Sequence, residues 1–174
     1  TPDACRLFLT PDAAHLSDPF ALTDMDVAVA RLREARERGE HVRVFGDYDV
    51  DGITGTALLY RALQRYGMKT CSYGMPSRLT EGYGLSSEQV TLARNEGVDL
   101  IVTVDNGIAA HEAAEEAARL GIDLIVTDHH EIERGLPPAV AVINPKRDGA
   151  DGPLYAIAGS GVALKLAHAL TGDR

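Results

Sequence analysis

The sequence predicts a doubly wound α/β domain, a mostly parallel sheet with helices on both faces. Two observations point there. Short apolar runs alternate with helical stretches of about 10 to 15 residues, and several of those runs are apolar at every position, as strands covered on both faces must be. A third observation says where chemistry would sit: polar residues directly follow each run, and in such sheets ligands bind outside the carboxyl ends of the strands.

Taken in order, the chain opens with a Pro- and Asp-rich loop to about residue 22, an N-terminal extension over 1–22 before a domain over 23–174. Thr23 is placed to cap a helix whose apolar stripe is Val27, Val29, Ala30, Leu32 and Ala35, ended by Gly39. A strand follows at 42–46, then a helix from Ile53 to Tyr66 stopped by Gly67, then a strand from Lys69 to Tyr73. After a turn-rich connection, Ser86 and Ser87 with Glu88 and Gln89 open a helix by capping-box logic, and Gly97 closes it. The β-branched run 99–104 reads as a buried strand. A helix at 109–120 ended by Gly121, strands at 123–127 and 140–143, and a last helix over about 162–170 complete the pattern.

At 174 residues with 45% hydrophobic and 25% charged content, the chain has the composition of one ordinary globular domain. A formal charge of −9 argues against a broad basic face that grips nucleic acid through its phosphates. No run of 18 apolar residues and no signal peptide is present, so no membrane association is expected. With only Cys5 and Cys71, a disulfide framework is not expected; both read as packing residues in a reduced, cytoplasmic setting. The first residue, Thr1, suggests an excised piece of a longer chain.

The segment Gly46-Asp47-Tyr48-Asp49-Val50-Asp51-Gly52 sets three carboxylates into five residues just past a strand. Like charges ~4 Å apart repel by roughly 1 kcal/mol in water and several-fold more when partly desolvated, so the cluster calls for a cation. An EF-hand calcium loop starts the same way, but its twelfth position falls on Leu58 where a bidentate Glu is required, and a strand precedes the segment. On an extended segment Asp47, Asp49 and Asp51 share a face while Tyr48 and Val50 pack away, with Gly46 and Gly52 permitting the bend.

Other polar clusters follow the later strands: Asp105-Asn106-Gly107, Asp128-His129-His130 and Asn144-Pro145. Strands ~4.8 Å apart let such groups converge on one or two ions. Carboxylates mixed with imidazole suit Mn²⁺, the first choice, or Mg²⁺ better than a structural zinc. Two ions ~3.5–4 Å apart would clamp both oxygens of a phosphoryl transfer. Asp105 suits the bridge, and Asn106-Gly107 frees the backbone to approach a phosphate.

Several groups carry a plainer reading beside the functional one. In extended geometry one of His129 and His130 faces the ions and the other points to substrate or core; a buried structural pair is the alternative. His111 with Glu112 and Glu115 lacks the spacing of a helical zinc motif and reads as an Ala-rich, solvated surface; His168 reads as packing. Gly159 and Ser160 offer backbone N–H groups to a phosphate, or simply start a helix. Arg78 could meet a substrate phosphate and Tyr83 stack a base, or both belong to an ordinary ordered loop.

Val-Phe-Gly-Asp-Tyr-Asp-Val-Asp-Gly-Ile-Thr-Gly-Thr, Glu-Gly-Tyr-Gly-Leu-Ser, Thr-Val-Asp-Asn-Gly-Ile, Thr-Asp-His-His-Glu and the closing Ala-Gly-Ser-Gly-Val-Ala-Leu-Lys-Leu-Ala resemble the DHH phosphoesterase superfamily, in its bacterial branch of single-strand-specific exonucleases. The resemblance spans nearly the whole chain from about Leu22. It implies that Asp47 and Asp49 hold a first ion, Asp105 bridges, and Asp51 with His129 holds a second. It further implies that His130 contacts the scissile phosphate, Asp128 orients the histidines, and Arg78 contacts a DNA phosphate. Similar members use Mn²⁺ or Mg²⁺, degrade single-stranded DNA from the 5′ end and act in recombination and repair; a helicase and a single-strand-binding protein are the implied partners. The family's fourth motif, with a further metal-binding aspartate, and its second domain and oligonucleotide-binding module lie beyond the helix at 162–170. This chain is therefore expected to bind metal but hydrolyse DNA weakly. A family member acting on short oligonucleotides or cyclic dinucleotides, or a catalytically silent binding relative, are the competing readings.

Overall fold

The computed structural model describes residues 2–10, 12, 15–77, 82–152 and 154–172. The apolar runs form five strands, β1 His41–Phe45, β2 Thr70–Gly74, β3 Leu100–Val104, β4 Asp123–Thr127 and β5 Ala141–Ile143, all pairing in parallel in the order β2-β1-β3-β4-β5. Before β1 run α1 Pro2–Leu9 and α2 Met25–Arg38, between the strands α3 Val50–Tyr66, α4 Ser87–Asn95 and α5 His111–Leu120, and after β5 α6 Gly159–Thr171.

Alternation along each strand divides the core between the two faces of the sheet. Val42 and Val44 of β1, Leu100, Val102 and Val104 of β3, and Ile125 of β4 pack under α2, α3 and α6 with Leu32, Leu59, Leu63 and Leu166. Phe45, Ile101, Leu124 and Val126 face the other way, under α4 and α5 with Val90, Ala93, Ala113 and Ala117. Every residue of β3 is buried, which is why its sequence is an unbroken apolar run apart from Thr103. The strand order reverses between β1 and β3: the chain moves outward from β1 to β2, then returns past β1 to add β3, β4 and β5. Connections leave β1 and β3 toward opposite sides there, which opens a crevice above their carboxyl ends.

Helix ends follow local chemistry, with some shifts from the sequence reading. α4 has the expected capping box, the Ser86 hydroxyl accepting from Gln89 N and the Gln89 side chain from Ser86 N. For α2, Thr23 is not the cap. Asp24 occupies that position at φ 65, and its carboxylate accepts from Val142 N (3.1 Å) and Arg147 Nη1 (2.6 Å), tying the helix start to β5. Thr23 donates to Asp148 instead. α3 starts at Val50, three residues before the expected Ile53, because Asp49 caps it by accepting from Gly52 N at 2.9 Å. α1 lies where a loop was expected, with Pro2 at its first position, where a missing N–H costs nothing. α5 is not a solvated surface helix: Ala113, Ala114 and Ala117 are core residues and His111 is half-buried. His168 is half-buried on α6 and Cys71 packs against the core, whereas Cys5 is exposed and has no packing role.

At the amino edge of the sheet, opposite the crevice, the buried Arg31 of α2 reaches Glu40 and Asp123, each at 2.6 Å. Arg31→Ala leaves Asp123 without its cation and the largely buried Glu40 with only the more distant Arg38, at 3.6 Å. The expected loss is about 3 kcal/mol, the low end for a broken buried pair because solvent reaches Asp123. Urea denaturation with and without the substitution measures it.

Candidate metal centre

Asp47 follows β1 and is 3% exposed; Asp105 follows β3 and is 2% exposed. Both hang over the crevice. A carboxylate oxygen from each of Asp47, Asp49 and Asp105 lies within 4.8 Å of the others, and Asp105 forms a second such group with ring nitrogens of His129 and His130. Asp105 thus belongs to both groups. Its backbone stands at φ 63, a region costly for most side chains but tolerated by Asp, while its N–H still continues the ladder to Thr127 O at 3.0 Å.

Close approach explains the glycines around it. A Cβ on Gly52 would lie 2.6 Å from Asp47 O, one on Gly46 would overlap the Thr56 hydroxyl at 1.8 Å, and one on Gly159 would lie 2.4 Å from Asp105 Oδ1. Gly46 and Gly52 are therefore required by packing of the β1–α3 turn onto itself, not by a positive φ.

The electrostatics describe a site short of positive charge. Burial, then the charges of Asp51 and Asp49, push the Asp105 carboxyl up to about 7. Burial, with Asp49 nearby, also raises Asp47. Asp47 Oδ1 is buried with no hydrogen-bond partner among the described residues, and Asp105 Oδ1 has none of good geometry, although His129 Nε2 stands 3.0 Å away. Buried carboxylate oxygens without donors, beside imidazole nitrogens, fit a divalent cation bound by oxygen and nitrogen ligands.

Asp128 plays a different part. Buried at 1% exposure, it accepts from His129 N (2.7 Å), His130 N (3.2 Å), His130 Nδ1 (2.7 Å) and Ile108 N (2.9 Å). Burial pushes its pKa up, but the bond from His130 and the Ile108 N–H outweigh burial and hold it below the usual range. The same bond raises His130. Asn144 at the end of β5 donates to His130 O at 3.0 Å, fixing the main chain of the histidine pair. The polar residue after β5 was visible in the sequence, but no role for it was.

The structure redistributes several expected roles. Asp51 is not on an extended segment with Asp47 and Asp49; it lies in the first turn of α3, belongs to neither ligand group, and its Oδ2 is 3.7 Å from His129 Nε2. Both histidines, not one, turn a ring nitrogen toward Asp105, their ring centroids 4.6 Å apart, because the chain bends directly after β4. The side chain of Asn106 is fully buried, and its Nδ2 donates to Val104 O (2.9 Å) and Phe45 O (3.2 Å), stitching the ends of β3 and β1. The N–H groups of Gly159 and Ser160 point to Asp51, not to open space for a phosphate. Arg78 lies outside the described residues. Tyr83 sits over the centre, its hydroxyl donating to Asp105 O at 3.0 Å, its ring edge-on to Tyr48 and His130. Beside His130, a cavity of about 800 Å³ opens between the starts of α4 and α5, bordered by Tyr83, Ser86, Ile108, His111 and Arg134.

Carboxylates and imidazoles gathered at the switch point of a parallel sheet define a doubly wound domain with a site suited to divalent cations. The chain belongs to the DHH family: the model of "DHH family, N-terminal domain" matches residues 41–174. It is 41% identical over 173 residues to the single-stranded-DNA-specific exonuclease RecJ of Bacillus subtilis (strain 168), an alignment covering 99% of this chain and 22% of that protein. The crystal structure of an exonuclease RecJ bound to manganese superposes with a TM-score of 0.75 at 39% identity, over 86% of this chain and 37% of that one. RecJ from Thermus thermophilus in complex with Mn²⁺ gives 0.72 at 36% identity, over 93% of this chain and 22% of that one. The chain thus spans about a fifth of the length of the Bacillus subtilis relative.

Proposed function

We propose that this chain is the metal-binding part of an exonuclease that hydrolyses single-stranded DNA from the 5′ end in recombination and repair. The observation that carries the reading is the pair of ligand groups sharing Asp105. The names of the relatives supply the substrate class. In this reading Asp47, Asp49, Asp51, Asp105 and His129 would hold two Mn²⁺ or Mg²⁺ ions. Such a pair supplies an activated water and charge neutralisation at the attacking and leaving oxygens.

The chain's own groups do the rest. His130, its pKa raised by the bond to Asp128, presents an N–H to a non-bridging phosphate oxygen. Asp128 and Asn144 hold that ring in place from behind. The cavity beside His130 gives a nucleotide room at the edge of the ligand groups. With a formal charge of −9, this domain leaves much of the DNA grip to other parts of the longer protein, with Arg78 as a phosphate contact here. A helicase and a single-strand-binding protein are the proposed partners. The cytoplasm is the proposed compartment; among the described residues no helix is long and apolar enough to cross a membrane.

The test is Mn²⁺-dependent degradation of a 5′-phosphorylated single strand by a parent protein of the relatives' length, with this 174-residue chain assayed beside it. Single strands are expected to shorten from the 5′ end and duplex DNA to persist, with this chain alone binding Mn²⁺ but degrading slowly. Turnover of dinucleotides without attack on long strands would transfer the assignment to a small-substrate phosphodiesterase. Absence of any nuclease in the parent protein would make it a binding relative.

A further inference from the structure

We propose that Tyr83 is a positioning residue of the metal centre: its hydroxyl pins the main-chain carbonyl of Asp105 and so holds the backbone kink that aims the shared carboxylate. The proposal rests on the metal-dependent reading above and deepens it.

Among the described residues, the non-glycine residues at positive φ are Asp24 and Asp105. That conformation is costly for any residue with a Cβ and persists only where its surroundings hold it. Asp24 is held by its own carboxylate, which is bonded to Val142 N and Arg147 Nη1. Asp105 is held differently. Its Oδ1 has no hydrogen-bond partner of good geometry, as suits an atom meant for a cation, so the hold must come through the main chain. The Asp105 N–H donates to Thr127 O at 3.0 Å, and its C=O accepts from the Tyr83 hydroxyl, also at 3.0 Å. The peptide groups on both sides of the kink are thereby fixed while the carboxylate stays available.

Tyr83 is placed to keep this bond. Gly82 and Gly84, at φ 78 and 73, arch the chain on either side of it, and a Cβ on Gly84 would lie 3.7 Å from the Cβ of Asn106, so the arch rests on the residue after Asp105. The ring stands edge-on to Tyr48, with centroids 6.4 Å apart, and to His130 at 5.9 Å, an orientation aromatic pairs prefer. Burial, then the charges of Asp128, Asp105, Asp47 and Asp49, push the phenol well above its ordinary value, so the hydroxyl keeps its proton. A carbonyl oxygen can only accept, and that proton therefore points at Asp105 O. The residue is 54% exposed, so burial of the ring does not by itself account for its place; the bond to Asp105 does.

The experiment compares the wild-type chain, Tyr83→Phe and Tyr83→Leu by calorimetric Mn²⁺ titration and by electron paramagnetic resonance of the Mn²⁺-saturated protein, well below the melting temperature. Tyr83→Phe removes the hydroxyl and keeps the ring. It is expected to bind the wild-type number of ions with affinity about tenfold weaker, the scale of losing an outer partner, and with an altered coupling between the ions at saturation. Tyr83→Leu is expected to match it, because both lack the donor. Wild-type affinity and spectrum in Tyr83→Phe would overturn the proposal, whether or not its melting temperature falls. A loss confined to Tyr83→Leu would overturn it too and make the ring, not the hydroxyl, the working part. If Tyr83→Leu fails to fold, Tyr83→Phe against the wild type decides alone. A wild-type chain that takes up no Mn²⁺ would remove the metal reading and this proposal with it; wild-type uptake left unchanged in Tyr83→Phe would remove the positioning role alone.

Discussion

Asp105→Asn is expected to raise the thermal midpoint of the metal-free protein while abolishing its stabilisation by Mn²⁺. The carboxyl is 2% exposed and pushed up to about 7 by burial and by the charges of Asp51 and Asp49, so at pH 8 the metal-free fold holds an anion it disfavours. Asn is the neutral isostere and tolerates the positive φ at this position. Stability gained at pH 8 is on the order of 2 kcal/mol, less than the full shift implies because charged neighbours relax and water penetrates. Binding moves the other way. Both ligand groups contain this residue, so Mn²⁺ affinity should fall by at least about 100-fold, beyond what loss of an outer partner costs. Circular dichroism melts with and without MnCl₂ test both signs at once. A variant that still gains stability from Mn²⁺ would show that Asp105 is not the shared ligand.

The second large effect is in pH. A cation needs the carboxylate, and near pH 6 Asp105 in the metal-free site is mostly protonated. Apparent Mn²⁺ affinity should therefore rise about tenfold from pH 5 to 6, less steeply through 7, and level off above 8, with close to one proton released per chain as the site fills at pH 6. The sign for stability is opposite. A carboxyl raised in the fold contributes stability that is complete below its unfolded value and lost as pH rises through the folded one, so the metal-free protein weakens between about pH 4 and 7. His130, raised by Asp128, acts in the same direction near neutrality. Asp24, Asp51 and Asp128 are all lowered, and their contributions are lost only in acid. Titration calorimetry at pH 6, 7 and 8 in two buffers of different ionisation enthalpy gives affinity and proton count together. A flat affinity over that range would mean that no proton on a site carboxylate competes with the cation.

What could be read from the sequence was what depends on period and composition. β3 is apolar at four of five positions because both its faces are covered, and Gly39, Gly67 and Gly121 end helices at the expected places in left-handed geometry. The edge on which Asp47, Asp105, Asp128 and His129 fall followed from the α/β alternation alone. The misreadings come from groups whose neighbours are distant in sequence. Asp51 was assigned by spacing to the face of Asp47, but Asp49 turns the chain into a helix and sends Asp51 toward residues 159 and 160. The role of the Asn106 side chain was likewise hidden: its amide donates to the carbonyls of Phe45, 61 positions away, and Val104. Asp24, not Thr23, starts α2 because Arg147 and Val142 N, more than 110 positions further on, reward a carboxylate there.

Asp105 owes its aim to main-chain torsion: at φ 63 the backbone itself throws the side chain across the crevice, and Tyr83 and Thr127 hold that kink from both sides. Little rotamer freedom remains for an arriving ion to freeze out, so the entropic toll of capture is small. An arriving divalent ion then meets an oxygen already in place, with no rebuilding of the polypeptide.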